Sequence, residues 1–224
     1  MMYISKEILN KLPYVKLGVL EYEIEVKQSN HILDKIIRDK IIELSTMKIE
    51  DIRKIETLED TRNAYKILGN NPSKHRNAAE AMLRRIIKQK GLYKINNVVD
   101  INNYISISSG YTVGSYMKDK IIGNVCLTYQ NEDVYYDGIG KEKVNYSNMP
   151  VLFDEIGAFG STSSDSQRTM VKEGKHKIVS VIYCFSNKDI NTLIMKYKNM
   201  LIEYCDVKQE QIYTYIVDQE EVQL

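Results

Sequence analysis

The sequence predicts a mixed α+β (α/β) fold. Three observations carry that prediction. Apolar residues recur at helical spacing between Ser29 and Gly91. After Gly91 the texture changes to short β-like runs between turn residues. The last stretch reads as strand, helix, strand. At 224 residues the chain suits one large domain, or one domain with a helical appendage, and it is long enough to bury a core without a disulfide or metal staple.

Taken in order, Val15–Val26 (VKLGVLEYEIEV) opens with a β-rich run and then alternates, with Tyr22, Ile24 and Val26 on one face, and reads as a strand. Ser29 is the candidate N-cap of a helix carrying Ile32, Leu33, Ile36, Ile37, Ile41 and Leu44. A second helix is expected from about Ile49 to Leu68, stopped by Gly69. After the turn Asn70-Asn71-Pro72, Ser73 is the candidate cap of a third helix that stops at Gly91.

Strand-like runs follow at Asn124–Tyr129, Asp133–Tyr136, Pro150–Asp154 and Lys177–Phe185. The small, polar run Gly157–Ser166 (GAFGSTSSDS) reads as a loop. Ser186 or Asn187 would cap a helix with Ile190, Leu193, Ile194, Tyr197, Leu201 and Tyr204 inward, and Gln211–Asp218 alternates as a closing strand.

Composition bounds the function classes. Hydrophobic residues make up 43% and charged residues 27%, with a formal net charge of +1, so an RNA contact must come from a local patch rather than from bulk charge. Cys126, Cys184 and Cys205 are widely spaced and form no CxxC, which points to reduced thiols and a cytoplasmic location. Cys126 and Cys184 read as small core residues. No run approaches the length of a membrane span. No metal-ligand spacing and no glycine-rich phosphate loop is present, so neither metal nor cofactor is expected.

Three segments carry candidate chemistry. Lys74–Lys90 concentrates Lys74, Arg76, Arg84, Arg85, Lys88 and Lys90 against Glu80 alone. Such a face can follow a phosphate backbone, or it can be a solvated face with cations drawn to a helix C-terminus. Arg84 and Arg85 are adjacent and cannot point the same way on a helix. Ile95–Tyr104 (INNVVDINNY) sets four asparagines and an aspartate among apolar residues; part-buried amides must either hold the scaffold or face a ligand. Ser163, Ser164, Asp165, Ser166 and Arg168 make a polar cluster to which no histidine is linked by spacing, so a serine nucleophile is not indicated.

INNVVDINNYI followed by SGYTVGSYMKDKIIG (Ser109–Gly123) resembles the B3/B4 domain of the bacterial phenylalanyl-tRNA synthetase beta subunit, which hydrolyses mischarged tyrosyl-tRNA. Asp154-Glu155-Ile156-Gly157 resembles the strand end before that family's editing loop. Arg62–Lys88 (RNAYKILGNNPSKHRNAAEAMLRRIIK) is closer to stand-alone proteins that contain only this domain. The resemblance runs from Arg62 to Phe185. It implies a three-layer domain with an unusual β-sandwich, a single B3/B4-type domain over residues 1–224 with 1–61 as a strand-plus-helices extension.

The family's Thr-Asn pocket pair falls on Asn102 and Asn103. Its pocket histidine, eleven residues further on, falls on Gly114. Its glycine-rich loop is replaced by the Ser/Asp-rich run Gly160–Thr169. Its hydroxyl-selecting glutamate falls at Ser180 or Val181, neither acidic. The resemblance thus implies a pocket lined by Asn102, Asn103, Gly114, Ser163, Ser164, Asp165 and Arg168, with Arg76, Arg84, Arg85 and Lys88 toward RNA. Two readings remain open: a trans-acting hydrolase of a mischarged aminoacyl-tRNA, or a non-catalytic module for an amino-acid-like ligand, a tRNA end or a protein. The chain is too short to hold an adenylation domain as well.

Overall fold

The computed structural model describes residues 1–132, 134–140 and 143–218. The elements run β1 (Met2–Ile4), α1 (Lys6–Lys11), β2 (Lys16–Val26), α2 (His31–Ser45), α3 (Glu56–Leu68), α4 (Ala78–Ile87), α5 (Asn97–Ser109), β3 (Thr112–Met117), β4 (Val125–Thr128), β5 (Tyr135–Asp137), β6 (Lys143–Asn145), β7 (Val151–Phe153), β8 (Ala158–Ser161), β9 (Gly174–Cys184), α6 (Asn191–Cys205) and β10 (Ile212–Val217). A 3-10 turn at Ile49–Lys54 precedes α3.

The two halves of β2 explain the layering. Leu17–Leu20 is buried on both faces, whereas Tyr22–Val26 alternates buried and exposed. Its partner β9 shows the mirror image: the first residues alternate and Ile178–Cys184 is buried throughout. The strands are antiparallel, with Lys16 opposite Cys184 and Val26 opposite Gly174. A central antiparallel sheet, ordered β10-β2-β9-β3, therefore has one face fully covered and the other covered over only half its length. Helices α2, α5 and α6 cover the first face through Leu33, Ile101, Ile105, Ile194, Tyr197 and Leu201. A second sheet, ordered β1-β4-β7-β8, packs on the other through Ile4, Leu127, Leu152 and Phe159 against Leu17, Val19, Val181 and Tyr183. Helix layer, sheet and sheet make the mixed α+β fold that the sequence predicted, in the three layers that the resemblance implied. The second sheet mixes a parallel pair, β1 with β4, with antiparallel pairs.

Several local expectations are corrected. Asn30, not Ser29, caps α2, its Oδ1 accepting from the amides of Ile32 and Leu33, while Ser29 Oγ donates to Asp100 at 2.6 Å. The helix expected over 49–68 breaks at Ile55, whose extended backbone (φ −78°, ψ 105°) lets Ile52 and Leu58 enter one cluster; Gly69 does end it, at φ +93°. Ser73 caps nothing: its amide is held by Asn71 Oδ1 in a local turn, and Asn77 caps the shortened α4. The supposed loop 157–166 contains β8, paired to β7. Helix α6 begins at Asn191, its first amide held by Asp189, rather than at Ser186 or Asn187. Helix α5 (Asn97–Ser109) lies where no helix was expected. The run expected over Asp133–Tyr136 is seen as β5; Asp133 lies outside the described residues. Cys184 and Cys205 are buried free thiols, and Cys126 is only half-buried. Among the described residues no helix is long and apolar enough to cross a membrane.

Candidate functional site

The residues expected to line one pocket are set in four places. Strand alternation is the reason. On β3, Ser115 points toward the helices and Gly114 and Tyr116 toward the second sheet, as do their β9 partners Val181 and Val179.

On the helix side, Asn102 joins a closed polar network. Its Nδ2 donates to Ser115 Oγ at 2.9 Å, and its Oδ1 accepts from Tyr197. Ser180 Oγ lies 2.6 Å from Ser115 Oγ, 2.9 Å from the Tyr197 hydroxyl and 2.8 Å from that of Tyr22. The positions of the family's pocket threonine and one candidate glutamate, Asn102 and Ser180, thus meet through Ser115. Two tyrosine hydroxyls complete their hydrogen bonding, and burial pushes both phenols above the ordinary tyrosine range.

Asn103, one residue on, faces elsewhere. It lines a cavity of about 220 Å³ between α2, α5 and the 92–94 segment, with Arg38, Ile37, Ile41 and Tyr93. Beneath it Asp100 is buried and accepts from Ser29 and from the Ile95 amide. Burial raises its carboxyl in spite of those bonds.

On the second-sheet side Gly114 and Asp165 come together. A Cβ built on Gly114 would lie 2.2 Å from the Tyr116 hydroxyl and 3.3 Å from Asp165 Oδ1; one on Gly160 would lie 2.4 Å from the same hydroxyl. Two glycines therefore clear the space in which Tyr116 meets Asp165. The Tyr116 hydroxyl donates to Asp165 Oδ1 at 2.8 Å and lies 2.8 Å from the hydroxyl of Tyr183. With its own proton given to the carboxylate, Tyr116 accepts from Tyr183, which makes a Tyr183–Tyr116–Asp165 chain. Burial among the rings pushes the Asp165 carboxyl up to about 7, against the opposing pull of the Tyr116 hydroxyl and a backbone bond at Ser161. Burial likewise holds both phenols well above their ordinary range, so they act as neutral donors.

The loop that carries Asp165 is tightly held. Ser161 Oγ accepts from the amides of Ser163 and Ser164 and donates to the Ser164 carbonyl at 2.8 Å, which also accepts from Tyr136 at 2.7 Å. Tyr146 stacks on Tyr136 at 3.9 Å between ring centroids, and its own hydroxyl is buried without a hydrogen-bond partner among the described residues. The loop is joined to the helices by a 2.8 Å bond from the Ala78 amide to the Thr162 carbonyl and by the Tyr65 hydroxyl on Thr162 Oγ1.

Arg168 turns away from this centre. Its guanidinium forks onto Asp154, both Nη–Oδ distances being 2.9 Å, and also donates to the Lys120 and Gly157 carbonyls. Burial alone would raise Asp154; the Arg168 fork and two backbone amides bring it below the usual carboxylate range.

The basic residues also separate. Arg84 Nε donates to Glu80 at 2.7 Å, Arg76 lies 3.8 Å from the same carboxylate, and Arg85 turns to the Gly91 carbonyl and stacks over Tyr93 at 4.3 Å. Lys88 is exposed at the end of α4. Arg62 of α3, which the sequence reading passed over, gives Glu80 two bonds of 2.9 and 2.6 Å. The tyrosine cluster was passed over too. Its signal was in the composition: 17 tyrosines against three phenylalanines and no tryptophan.

A B3/4 domain family profile matches residues 60–201. None of the curated proteins matches the chain. Among solved structures, an N-terminal fragment of the phenylalanyl-tRNA synthetase beta-subunit from Pyrococcus horikoshii is similar with a TM-score of 0.44 and 11% identity over 90% of this chain. The chain spans about half the length of that fragment, 47% of it. The family match runs from within α3 into α6 and takes in Tyr65, Gly114, Tyr116, Asp165 and Tyr183 together, and on that match the chain belongs to the B3/4 domain family.

Proposed function

We propose that the protein hydrolyses the ester of a mischarged aminoacyl-tRNA in trans, in the cytoplasm. The observation that carries this reading is the carboxyl of Asp165, bonded by the Tyr116 hydroxyl and backed through it by Tyr183, in a chain of the B3/4 family. Asp165 in its carboxylate form accepts a proton as water attacks the ester carbonyl, and returns it to the departing ribose oxygen. Water and ester thus become amino acid and tRNA hydroxyl. A carboxyl titrating near neutrality suits both transfers. The Tyr146 hydroxyl, which has no hydrogen-bond partner among the described residues, is a donor for the oxygen on which charge develops.

The test is deacylation of a panel of mischarged tRNAs. The expected result is acceleration over buffer for at least one pair, rising with pH through about 7 and lost in Asp165→Asn. No acceleration for any pair rejects the reading.

A second reading, a non-catalytic module for an amino-acid-like ligand, is favoured by the Asn103 cavity. Arg38 offers a guanidinium to a carboxylate, and Ile37, Ile41, Leu92 and Tyr93 offer an apolar wall. Free amino acids raising the melting temperature of the wild type but not of Asn103→Ala would support it. No shift with any of them would reject it.

A further inference from the structure

The hollow between α3, α4 and the 71–76 turn has a volume of about 320 Å³. Five cations line it. Arg62 and Lys66 come from α3, Arg84 from α4, Arg76 from the turn and Arg53 from the 3-10 segment; only Glu59 and Glu80 oppose them. The cations are of two kinds. Arg62 and Arg84 are fixed: the Glu80 side chain is only 1% exposed and takes three bonds of 2.6–2.9 Å from their guanidiniums. Burial would raise the Glu80 carboxyl, and these two arginines pull it below its ordinary value, so it stays an anion. The other three are held more loosely. Arg53 has no hydrogen-bond or ion-pair partner among the described residues, Arg76 makes only a long ion pair with Glu80 at 3.8 Å, and Lys66 donates to Asn63 Oδ1 at 3.3 Å and stands 3.9 Å from Glu59. The two nitrogens at the tip of the Arg84 guanidinium make no hydrogen bond among the described residues.

A buried acid that orients two guanidiniums, ringed by three loosely held cations around a concavity, is unlike a solvated helix face. Cations on an ordinary outer face diverge into water. Here they converge, and the net surplus of positive charge asks for a multiply charged anion with several acceptor oxygens. We propose that this hollow binds phosphate groups, and that their source is an RNA strand. For that source the inference rests on the hydrolase reading. The hollow and the Asp165 loop share both helices, through Tyr65 of α3 and the first amide of α4, each bonded to Thr162. The residues that hold RNA are then Arg53, Arg62, Lys66, Arg76 and Arg84. Arg85 and Lys88, expected from the sequence to reach RNA, lie outside the hollow.

The experiment titrates the full chain with fluorescently labelled deacylated tRNA at several salt concentrations, and separately with inorganic pyrophosphate. The rim variants are Arg53→Ala, Lys66→Ala and Arg76→Ala, singly and together, because the hydrogen bonds that hold Glu80 come from Arg62 and Arg84 instead. Lys88→Ala is the control. Each rim substitution is expected to weaken tRNA binding about three- to tenfold and to lower the slope of log affinity on log salt by about 0.7 to 0.9. Lys88→Ala should stay within about twofold of wild type. Rim variants that bind tRNA as wild type does overturn the site, even where deacylation is seen and the hydrolase reading stands. Pyrophosphate binding that the rim variants lose, without tRNA binding, keeps the phosphate site and overturns RNA as its source. No binding of either overturns both.

Discussion

Gly114 and Tyr116 lie on one face of β3, two residues apart, and a methyl group on the first would fall 2.2 Å from the hydroxyl of the second. Gly114→Ala is therefore an overpacking substitution at a completely buried tyrosine. It should cost about 2–3 kcal/mol, read as a lowered urea midpoint at unchanged slope. Removing the clashing oxygen should restore part of the loss, so the double variant Gly114→Ala/Tyr116→Phe should be more stable than the two single effects sum to. Strict additivity would mean that the predicted clash is relieved some other way.

Asp165 makes a signed prediction about pH. Its folded carboxyl is pushed up to about 7, above the aspartate's ordinary value of about 3.9, so between those values the folded chain holds the extra proton. Stability must then fall as pH rises from about 4 to about 7, and level off above. One pKa unit is worth about 1.4 kcal/mol, which bounds the loss at a few kcal/mol. Asp165→Asn should remove that slope and be the more stable protein at pH 8. A variant with the wild-type pH slope would contradict the enclosure of this carboxyl.

The Arg168–Asp154 fork sets the 168 segment against the 154–157 turn, and the Asp154 side chain is fully buried. Arg168→Ala strands that carboxylate and should cost about 3–5 kcal/mol. Arg168→Lys keeps the charge but cannot form the fork, so it should recover only part of the loss. Full recovery by lysine, in chemical denaturation, would show that charge alone matters.

Asn102 and Asn103 should part company. Asn102→Ala removes partners from Ser115 and Tyr197 inside the closed network and should cost about 2–4 kcal/mol. Asn103→Ala, half-exposed at a cavity wall and without a hydrogen-bond partner among the described residues, should stay within about 0.5 kcal/mol of wild type. Equal costs would falsify the placement of the two side chains.

How much of this was legible depended on whether the signal was periodic. The β2 run showed its half-and-half burial directly, as a solid apolar stretch passing into alternation, because the second sheet covers only part of it. Gly69 and the strands at 125–128, 151–153 and 174–184 were readable for the same reason. Caps were displaced by one to four residues wherever two polar side chains competed. Asn30 won over Ser29 because Ser29 was taken by Asp100, a residue 71 positions away that no local pattern reveals. The site was less legible still. Asn102, Gly114 and Asp165 share a family pattern, but strand alternation sends Ser115 and Gly114 to opposite sides of one sheet, and that parity is a tertiary fact. Arg62 was missed because its partner, Glu80, sits on another helix.

The long-range pairing of β2 has a consequence for how the protein is made. Val26 has its partner at Gly174 and Tyr22 has its second partner at Ile212. A nascent chain emerging at about 5–20 residues per second exposes the apolar β2 run for on the order of ten seconds or more before either neighbour exists. Helices α2 to α5 can form during that wait, but the central sheet cannot. The central sheet thus closes only after β9 and β10 have been made, and pairing over so long a sequence separation makes folding slow for its size.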